Sequence, residues 1–315
     1  MASNSRALAL IASILLLGMA VSGTAGEDKK KIVFVAAAGS HGFGNHAYKA
    51  GFLLFAKLLN ENAPNVEAVV VTGGWPKDPS VFDGACAIVL GSDGGGLVTQ
   101  NLKALDALMK KGIGLACIHY TLDLPKGDAR RLLLDAIGGY YEQGWSVNPT
   151  WEANFKEFPN HPITRGVRPF KISDEWYYHM RFREDPKGMT PILAAIPPDS
   201  TRKGPDGPHS GNPAVRSRLG MPEHVAWACE RPDGGRGFGF TGGHIHWNWA
   251  HDDLRKLLLN AFVWLAGAEV PPDGVPSKTP TVDDLVANQE SPPPKNWKPE
   301  QLRRQIEQFN RPPAP

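Results

Sequence analysis

Histidine side chains recur in this sequence at points where short apolar runs end. The candidates, in chain order, are Ser40, His41 and His46 after one run, His119 at the end of another, and His244 and His246 after a third. Imidazole exchanges a proton near neutral pH, and its nitrogens are common ligands of zinc and related ions. This pattern indicates acid–base chemistry, a metal site, or both.

Two carboxylate positions could complete such a site. Asp93 lies in the glycine-rich run GSDGGG, which could offer backbone N–H groups to an anion but fits an ordinary tight turn better. Asp174 and Glu175 are adjacent, so on a strand they point to opposite faces and do not form a glycosidase pair by themselves. One of them could reach the site; the alternative is a salt bridge to Arg181 or Arg183.

Nine tryptophans are many for 315 residues, and an aromatic face can stack on the apolar face of a sugar ring. Core packing explains each tryptophan equally well. The candidate substrate-binding residues are Ser40, Asp93, Trp145, Trp176 and Trp247.

The segments that carry these residues alternate between strand and helix patterns. The predicted strands are Lys31–Ala37, Asn65–Thr72, Ala85–Leu90 and Ile113–His119, and the predicted helices are His46–Asn62, Asn101–Lys111 and Asp128–Ile137. This alternation predicts an α/β fold with a doubly wound, mostly parallel sheet. Because ligands bind beyond the carboxyl ends of the strands in such sheets, we expect the histidine-bearing segments to meet at one edge.

The alternation is lost between residues 140 and 223, which are rich in proline, glycine and aromatic residues. We predict a long irregular excursion there, with a short strand at Pro191–Ile196. An antiparallel pair at His224–Glu230 and Arg236–Thr241 follows, and then a helix at Asp252–Leu265. The proline-rich segment 269–315 is predicted to be an extended tail, in which Glu300–Phe309 could form one short helix.

The charge and the N-terminus limit the class of protein. A net charge of +2, from 34 basic and 32 acidic residues, provides no basic surface for nucleic acid. Residues 1–26 combine Arg6, the apolar run Ala7–Val21 and small residues, as a secretory signal does. A retained anchor is the alternative, but about 15 apolar residues are few for a membrane span. We therefore expect an exported protein, periplasmic or extracellular, without a membrane span after cleavage.

The three cysteines Cys86, Cys117 and Cys229 each lie in an apolar run and are predicted to be buried thiols. A nucleophilic cysteine on a strand-to-helix connection sits on the turn directly after the strand, a position that His119 occupies here. Cys117 lies two residues inside that strand, so we expect it to be inert.

Six segments together resemble the ThuA-like (trehalose utilisation) family, whose fold is that of the class I glutamine amidotransferases. They are 39–46 (GSHGFGNH), 112–119 (GIGLACIH), 161–166 (HPITRG), 174–177 (DEWY), 235–244 (GRGFGFTGGH) and 258–264 (LLNAFVW). The resemblance extends over about residues 30–268, which we take as one domain.

The resemblance implies a role in carbohydrate metabolism on a disaccharide or glycoside, including 3-keto forms. Chemistry of the isomerase or lyase type next to a keto group needs a base and an electrophile. The implied catalytic residues are His119, His46 and Glu175, and the implied ligands of a divalent metal, Zn²⁺ or Mn²⁺, are His41, His244 and His246. The alternative is a non-catalytic sugar-binding or accessory protein, and a homo-oligomer stays open.

Overall fold

A seven-stranded sheet forms the centre of the protein in the computed structural model, which describes residues 29–311. The strands of the chain are β1 Lys30–Ala36, β2 Val66–Thr72, β3 Ala85–Gly91, β4 Gly114–Ile118, β5 Gly139–Tyr140, β6 Trp151–Phe155, β7 Phe170–Asp174, β8 Arg181–Phe182, β9 Met189–Ala195, β10 Glu223–Glu230 and β11 Arg236–Phe240. The order in the sheet is β2-β1-β3-β4-β11-β10-β9. The strands β2, β1, β3, β4 and β11 are parallel, and β10 is antiparallel to both of its neighbours. The predicted α/β fold with a mostly parallel sheet is confirmed.

Helices cover both faces of this sheet. They are α1 Tyr48–Asn62, α2 Gly96–Gln100, α3 Leu102–Met109, α4 Asp128–Ala136, α5 Asp199–Arg202, α6 Pro213–Arg216, α7 Asp252–Leu265, α8 Val282–Val286 and α9 Pro299–Phe309. Alternate residues of a strand point to opposite faces, so Phe34 packs with α1 and α7 while Val33 and Val35 pack with α3 and α4. The two buried cores hold the sheet rigidly between helix layers, which fixes the strand ends that carry the site.

The excursion contains two small antiparallel sheets that the sequence interpretation did not locate. Strand β6 pairs with β7, and β5 pairs with β8. The segments WEANF and FKISD alternate buried and less buried residues along β6 and β7, a period-two pattern that could have identified them. The β6–β7 hairpin matters for the site because Asp174 ends it and Glu175 follows directly.

The C-terminal segment packs back on the domain instead of extending away from it. Helix α9 covers the predicted short helix, whereas α8 was not predicted. The side chains of Val275, Leu285 and Leu302 are buried. The start of α8 is a capping box formed by Thr281 and Asp284, a T-x-x-D signal that the proline-rich composition obscured.

The predicted signal segment, residues 1–26, lies outside the described residues. Between residues 29 and 311, no helix combines the length and apolar character that a membrane crossing requires.

Candidate active site

The register of the parallel strands brings four strand ends into one row. Ala36 of β1 is paired with Gly91 of β3, Gly91 with Ile118 of β4, and Ile118 with Phe240 of β11. The loops that leave these ends carry Ser40, His41 and His46, then Asp93, then His119, and then His244. The structure therefore brings together, at one edge of the sheet, residues up to 204 positions apart between Ser40 and His244.

Four side chains converge at the centre of this edge. The Nε2 atom of His46 lies 2.8 Å from Nδ1 of His244 and 3.1 Å from Nε2 of His119. The Oε2 atom of Glu175 lies 3.1 Å from Nδ1 of His244 and 3.3 Å from Nε2 of His119. In a tetrahedral site with metal–nitrogen bonds of about 2.0–2.1 Å, neighbouring ligand atoms are about 3.3 Å apart. These four side chains, the ligand cluster hereafter, could therefore hold one metal ion.

The hydrogen bonds around the ligand cluster fix the direction of two nitrogen lone pairs. Nδ1 of His119 is 2.7 Å from the carbonyl oxygen of Thr241, which only accepts, so Nδ1 carries the proton and Nε2 is bare. Nδ1 of His46 donates to the carboxylate of Asp93, so its Nε2 is bare as well. Two lone pairs thus point to the centre of the ligand cluster, where one cation could accept both. Such outward N–H bonds to a carboxylate or carbonyl are typical of metal-ligating histidines.

Burial keeps His46 neutral, because it lowers the pKa of this imidazole to about 4, even against the hydrogen bond to Asp93. For Glu175, burial opposes ionisation, but the adjacent imidazoles of His119 and His244 lower its pKa to about 2. At neutral pH His46 and Glu175 are therefore in the protonation states that a metal ion requires.

His119 occupies the turn directly after β4 with a left-handed backbone, at φ 54°, and its side chain is fully buried. His46 is also left-handed, at φ 45°. Non-glycine residues rarely adopt this conformation, and strain of this kind is concentrated at functional sites. The backbone thus holds both imidazoles in place at an energetic cost of about 1–3 kcal/mol each.

Asp93 is the hydrogen-bonding hub behind His46. Its Oδ2 atom accepts from the backbone N–H of Ser40 at 2.6 Å and lies 3.3 Å from Nδ1 of His41, while Oδ1 accepts from His46. Burial opposes its ionisation, but the hydrogen bonds from His46 and Ser40 hold the pKa of this carboxyl well below its usual range. His41, His46 and Asp93 also form a second group with metal-ligand spacing. Because the Asp93 carboxylate already accepts hydrogen bonds from Ser40 and His46, it fits a role in orienting the imidazoles of His41 and His46 better than a role as a metal ligand.

Replacing Asp93 with asparagine is expected to weaken cation binding by about 10–100-fold, because His46 loses the carboxylate that orients it and raises its basicity. Titration of metal-free protein with Zn²⁺ measures the effect. Asp106→Asn, which changes an exposed carboxylate on α3, is the control. Equal Zn²⁺ affinity of the Asp93 variant and the control would contradict the orienting role.

Asp174 anchors the loop that carries His244. Its carboxylate accepts from the backbone N–H groups of Gly243 at 2.9 Å and Ile245 at 3.2 Å, and from the side chain of Asn248 at 3.0 Å. Its neighbour Glu175 turns into the ligand cluster, where Asn148 donates to its Oε1 at 3.1 Å. The adjacent carboxylates thus divide their roles, and Glu175 contacts His119 and His244 instead of Arg181 or Arg183.

A pocket of about 270 Å³ lies beside the ligand cluster. Its lining residues are Ser40, His41, His46, Tyr120, Asp123, Tyr141, Asn148, Glu175, Tyr177 and His209. The hydroxyl of Tyr141 lies 3.1 Å from Nδ1 of His209, and that of Tyr177 lies 3.2 Å from Nε2 of His119. Burial raises the pKa of Asp123, whose carboxylate accepts from Gln143 at 3.1 Å. The wall thus offers hydroxyl, amide, imidazole and carboxyl groups, and no lining residue is lysine or arginine.

Several residues predicted to bind substrate or metal lie apart from this pocket. Trp176 is fully buried in the core against Phe240, and Trp145 stacks on His179 beneath Arg181. Trp247 packs 5.2 Å from Phe43, between ring centroids, instead of lining the pocket. These tryptophans pack because the irregular excursion and loops have few strands to supply a core.

His246 also stays out of the ligand cluster. Its side chain is buried, its Nε2 donates to the carbonyl oxygen of Leu285 at 3.0 Å, and burial lowers its pKa to about 4. The two-residue spacing from His244 would put both imidazoles on one side of an extended segment, but a 3₁₀ turn begins at His246 and separates them.

The sequence interpretation did not select Tyr120, Tyr141, Asn148, Tyr177 and His209. Tyr120 was detectable, because it directly follows His119 at a strand end. Asn148 and His209 come from the excursion, where no periodic pattern predicts which residues face inward. Their place depends on tertiary contacts such as the hydrogen bond from Asn148 N to the carbonyl oxygen of His209, at 3.2 Å.

Cysteine chemistry has no place at this edge of the sheet. Cys117 is fully buried inside β4, and burial raises the pKa of its thiol far above the usual range. Among residues 29–311, Cys86, Cys117 and Cys229 are all free thiols, with Cys86 partly exposed.

The fold and the site define a class of protein. This is a doubly wound α/β protein with a mostly parallel sheet, in which a histidine with a left-handed backbone occupies the turn directly after β4. The family model ThuA, described as trehalose utilisation, matches residues 32–265, so the chain belongs to the ThuA family.

Two solved structures of ThuA-like proteins agree with this fold. A ThuA-like protein from Bacteroides uniformis ATCC 8492 is 16% identical, with a TM-score of 0.51 over 78% of this chain and 94% of that one. A ThuA-like protein from Parabacteroides merdae ATCC 43184 is 15% identical, with a TM-score of 0.51 over 80% of this chain and 96% of that one. A glutamine amidotransferase from Thermotoga maritima has 10% identity and a TM-score of 0.40 over 82% and 98% of the chains. A comparison with curated protein sequences found no match.

Proposed function

We propose that this ThuA-family protein is an exported carbohydrate-active enzyme that binds one divalent cation and acts on a keto sugar or its glycoside. The observation that carries the proposal is the ligand cluster: bare nitrogens of His46 and His119 face each other at 3.1 Å beside a polar pocket. The pattern of residues 1–26 supports export.

His46, His119, His244 and Glu175 would hold the cation. Three imidazoles and one carboxylate are a ligand set that suits Zn²⁺, and Mn²⁺ also accepts it. A bound cation supplies Lewis-acid polarisation of a substrate oxygen. The pocket begins at the ligand cluster, since His46 and Glu175 line both, so a substrate oxygen in the pocket can reach the cation.

The lining of the pocket favours a neutral, hydroxyl-rich ligand. Phosphorylated substrates are normally bound by arginine, lysine or helix N-termini, and none of the ten lining residues is basic apart from histidine. Asp123, Asn148 and the tyrosine hydroxyls can each bond a sugar hydroxyl. A volume of about 270 Å³ is near the lower end of the range for small-molecule sites and suits one sugar ring.

The proposed roles of the histidines differ from the sequence interpretation, which assigned His46 and His119 to catalysis and His41 to the metal. The imidazoles of His46 and His119 belong to the ligand cluster, so they cannot also accept a proton. His41 lines the pocket, its side chain is 40% exposed, and its Nδ1 lies 3.3 Å from Asp93. Donation of Nδ1–H to Asp93 leaves Nε2 bare, as a general base requires.

The proposed step is proton abstraction next to a keto group. Nε2 of His41 takes the proton from the carbon beside the carbonyl, and the C–H electron pair forms the enolate. In a lyase the electron pair of the enolate then expels the oxygen substituent of the next carbon. The leaving oxygen takes a proton from the carboxyl group of Asp123. In an isomerase the hydroxyl proton of the carbon that lost its hydrogen moves to the former carbonyl oxygen, and His41 returns its proton to the former carbonyl carbon, so that the carbonyl group moves by one carbon. The raised pKa of Asp123 suits the acid role.

A panel of glycosides and their 3-keto forms, followed by NMR, tests this function. The expected result is turnover of a keto form alone, lost after treatment with a chelator and restored by Zn²⁺ or Mn²⁺. Saturable binding without turnover would support the non-catalytic sugar-binding or accessory role instead. Chelator-insensitive turnover would contradict the proposed role of the cation.

A further inference from the structure

The C-terminal segment 285–297, called the strap, contacts both loops that carry histidines of the ligand cluster. It lies beyond residue 265, where the match to the ThuA family model ends. One loop, residues 39–46, leaves β1 and carries His46; the other, residues 241–248, leaves β11 and carries His244. The strap is remote from both in sequence, so its contacts are tertiary structure and not local turns.

The two loops are paired with each other. Asn45 and Ile245 form an isolated antiparallel bridge, the N–H of His46 donates to the carbonyl oxygen of His244 at 3.0 Å, and the N–H of His246 donates to that of Gly44 at 2.9 Å. The separation of the His46 and His244 imidazoles therefore depends on this short pairing. It contains one bridge and has few bonds of its own to resist fraying.

The strap bonds to each loop at this pairing. The Oε1 atom of Gln289 accepts from the N–H of Gly44 at 3.1 Å, and the carbonyl oxygen of Leu285 accepts from His246 at 3.0 Å. Gln289 is itself fixed, because its Nε2 donates to the same Leu285 carbonyl at 3.1 Å. One side chain thus links the two loops through a single carbonyl group.

Further contacts place the strap along the rest of loop 39–46. Glu290 accepts from the N–H of Gly39 at 3.3 Å, and Ser291 donates to the carbonyl oxygen of His41 at 3.2 Å. The ring of Trp297 packs 5.2 Å from that of Phe43, between centroids. Gly44 has no room for a side chain, since a Cβ there would lie 2.3 Å from the ring of Trp247. The loop is therefore enclosed between the strap and Trp247.

We propose that Gln289 is a positioning residue for the cation site: its bond to Gly44 and its bond to Leu285 hold the loops of His46 and His244 at ligand separation. The inference rests on the proposed cation site for its functional consequence. His246 is the matching residue on the second loop, which gives this buried histidine a structural part in the same arrangement.

Gln289→Ala tests the proposal, with Thr279→Ala as the matched control. Thr279 also joins the C-terminal segment to the domain by one hydrogen bond, to Asp252 at 2.7 Å, but it lies outside the strap. We expect Gln289→Ala to weaken Zn²⁺ binding about tenfold and to speed amide exchange of residues 39–46 in metal-free protein. The control should change neither.

Amide exchange separates failure of this inference from failure of the proposed function. If the wild-type protein binds no Zn²⁺, the cation site fails, yet exchange of residues 39–46 in Gln289→Ala still reports whether the strap positions the loop. The inference would be overturned if Gln289→Ala unfolded at the same urea concentration as the wild type and the amide exchange of its residues 39–46 were unchanged. Gln289→Glu keeps an acceptor for the Gly44 N–H but loses the donor to the Leu285 carbonyl, so its residues 39–46 should also exchange faster than those of the wild type; wild-type exchange in this variant would contradict the inference as well.

Discussion

Replacing His119 with alanine is expected to abolish cation binding and turnover together. The substitution removes a buried ligand nitrogen and leaves the hydroxyl of Tyr177 and the carbonyl of Thr241 without their imidazole partner. Loss of one ligand should lower the Zn²⁺ affinity by more than the 10–100-fold that an outer-shell change costs. Calorimetric titration and the NMR assay on a keto glycoside measure the two effects.

Two further variants keep the His119 result interpretable. His224→Ala removes an exposed histidine on β10 that is not one of the clustered ligands and does not line the pocket, and it should bind Zn²⁺ as the wild type does. Glu175→Gln keeps the shape of a ligand side chain but removes its charge, so it should also bind Zn²⁺ far more weakly while staying folded. Wild-type affinity in both His119→Ala and Glu175→Gln would exclude the ligand cluster as the cation site.

Replacing His41 with alanine is expected to lower turnover by about 10²–10⁴-fold, the usual contribution of a general base. The Zn²⁺ affinity should change by only a few fold, because His41 lines the pocket but is not one of the four clustered ligands. The measurement is kcat on the keto substrate beside a Zn²⁺ titration of the same variant.

This division of effects distinguishes a base from a ligand. His119→Ala should lose both binding and turnover, whereas His41→Ala should lose turnover alone. If His41→Ala lost Zn²⁺ binding to the same degree, His41 would be a ligand, as the sequence interpretation had it. If its turnover stayed at the wild-type level, the base would have to be another group on the pocket wall.

The position of the site followed from the sequence because the sheet is parallel and buried. Short apolar runs such as the one that ends at Ile118 fit strands covered on both faces, and parallel strands end at one edge. The observed strand ends differ from the predicted ones by a residue or two, for example β1 Lys30–Ala36 against Lys31–Ala37. The histidines after these runs therefore had to approach one another, whatever the side-chain details.

The detailed roles could not be predicted, because they depend on tertiary contacts. His46 belongs to the ligand cluster because its buried ring contacts His119 and His244, an arrangement that no local pattern of the sequence predicts. The pairing of Asp174 with Gly243 and Ile245, and of Glu175 with His244, depends on a hairpin of the excursion. No local pattern distinguishes these neighbouring carboxylates before the hairpin is in place.

The tryptophans show what the residue composition cannot predict. Their number suggested stacking on a sugar, yet Trp176 is buried in the core. Composition alone cannot separate a binding aromatic from a packing one, since both bury the same kind of surface. The pocket wall is instead built from tyrosines, Tyr120, Tyr141 and Tyr177, whose hydroxyl groups provide polar contacts.

X-ray diffraction from a crystal soaked in Zn²⁺, recorded on both sides of the zinc absorption edge, tests the central claim most directly. We predict one anomalous peak at about 2.0–2.2 Å from Nε2 of His46, Nε2 of His119, Nδ1 of His244 and a carboxylate oxygen of Glu175. A peak that occurs only at other positions, or no peak between these side chains at saturating Zn²⁺, would contradict the account.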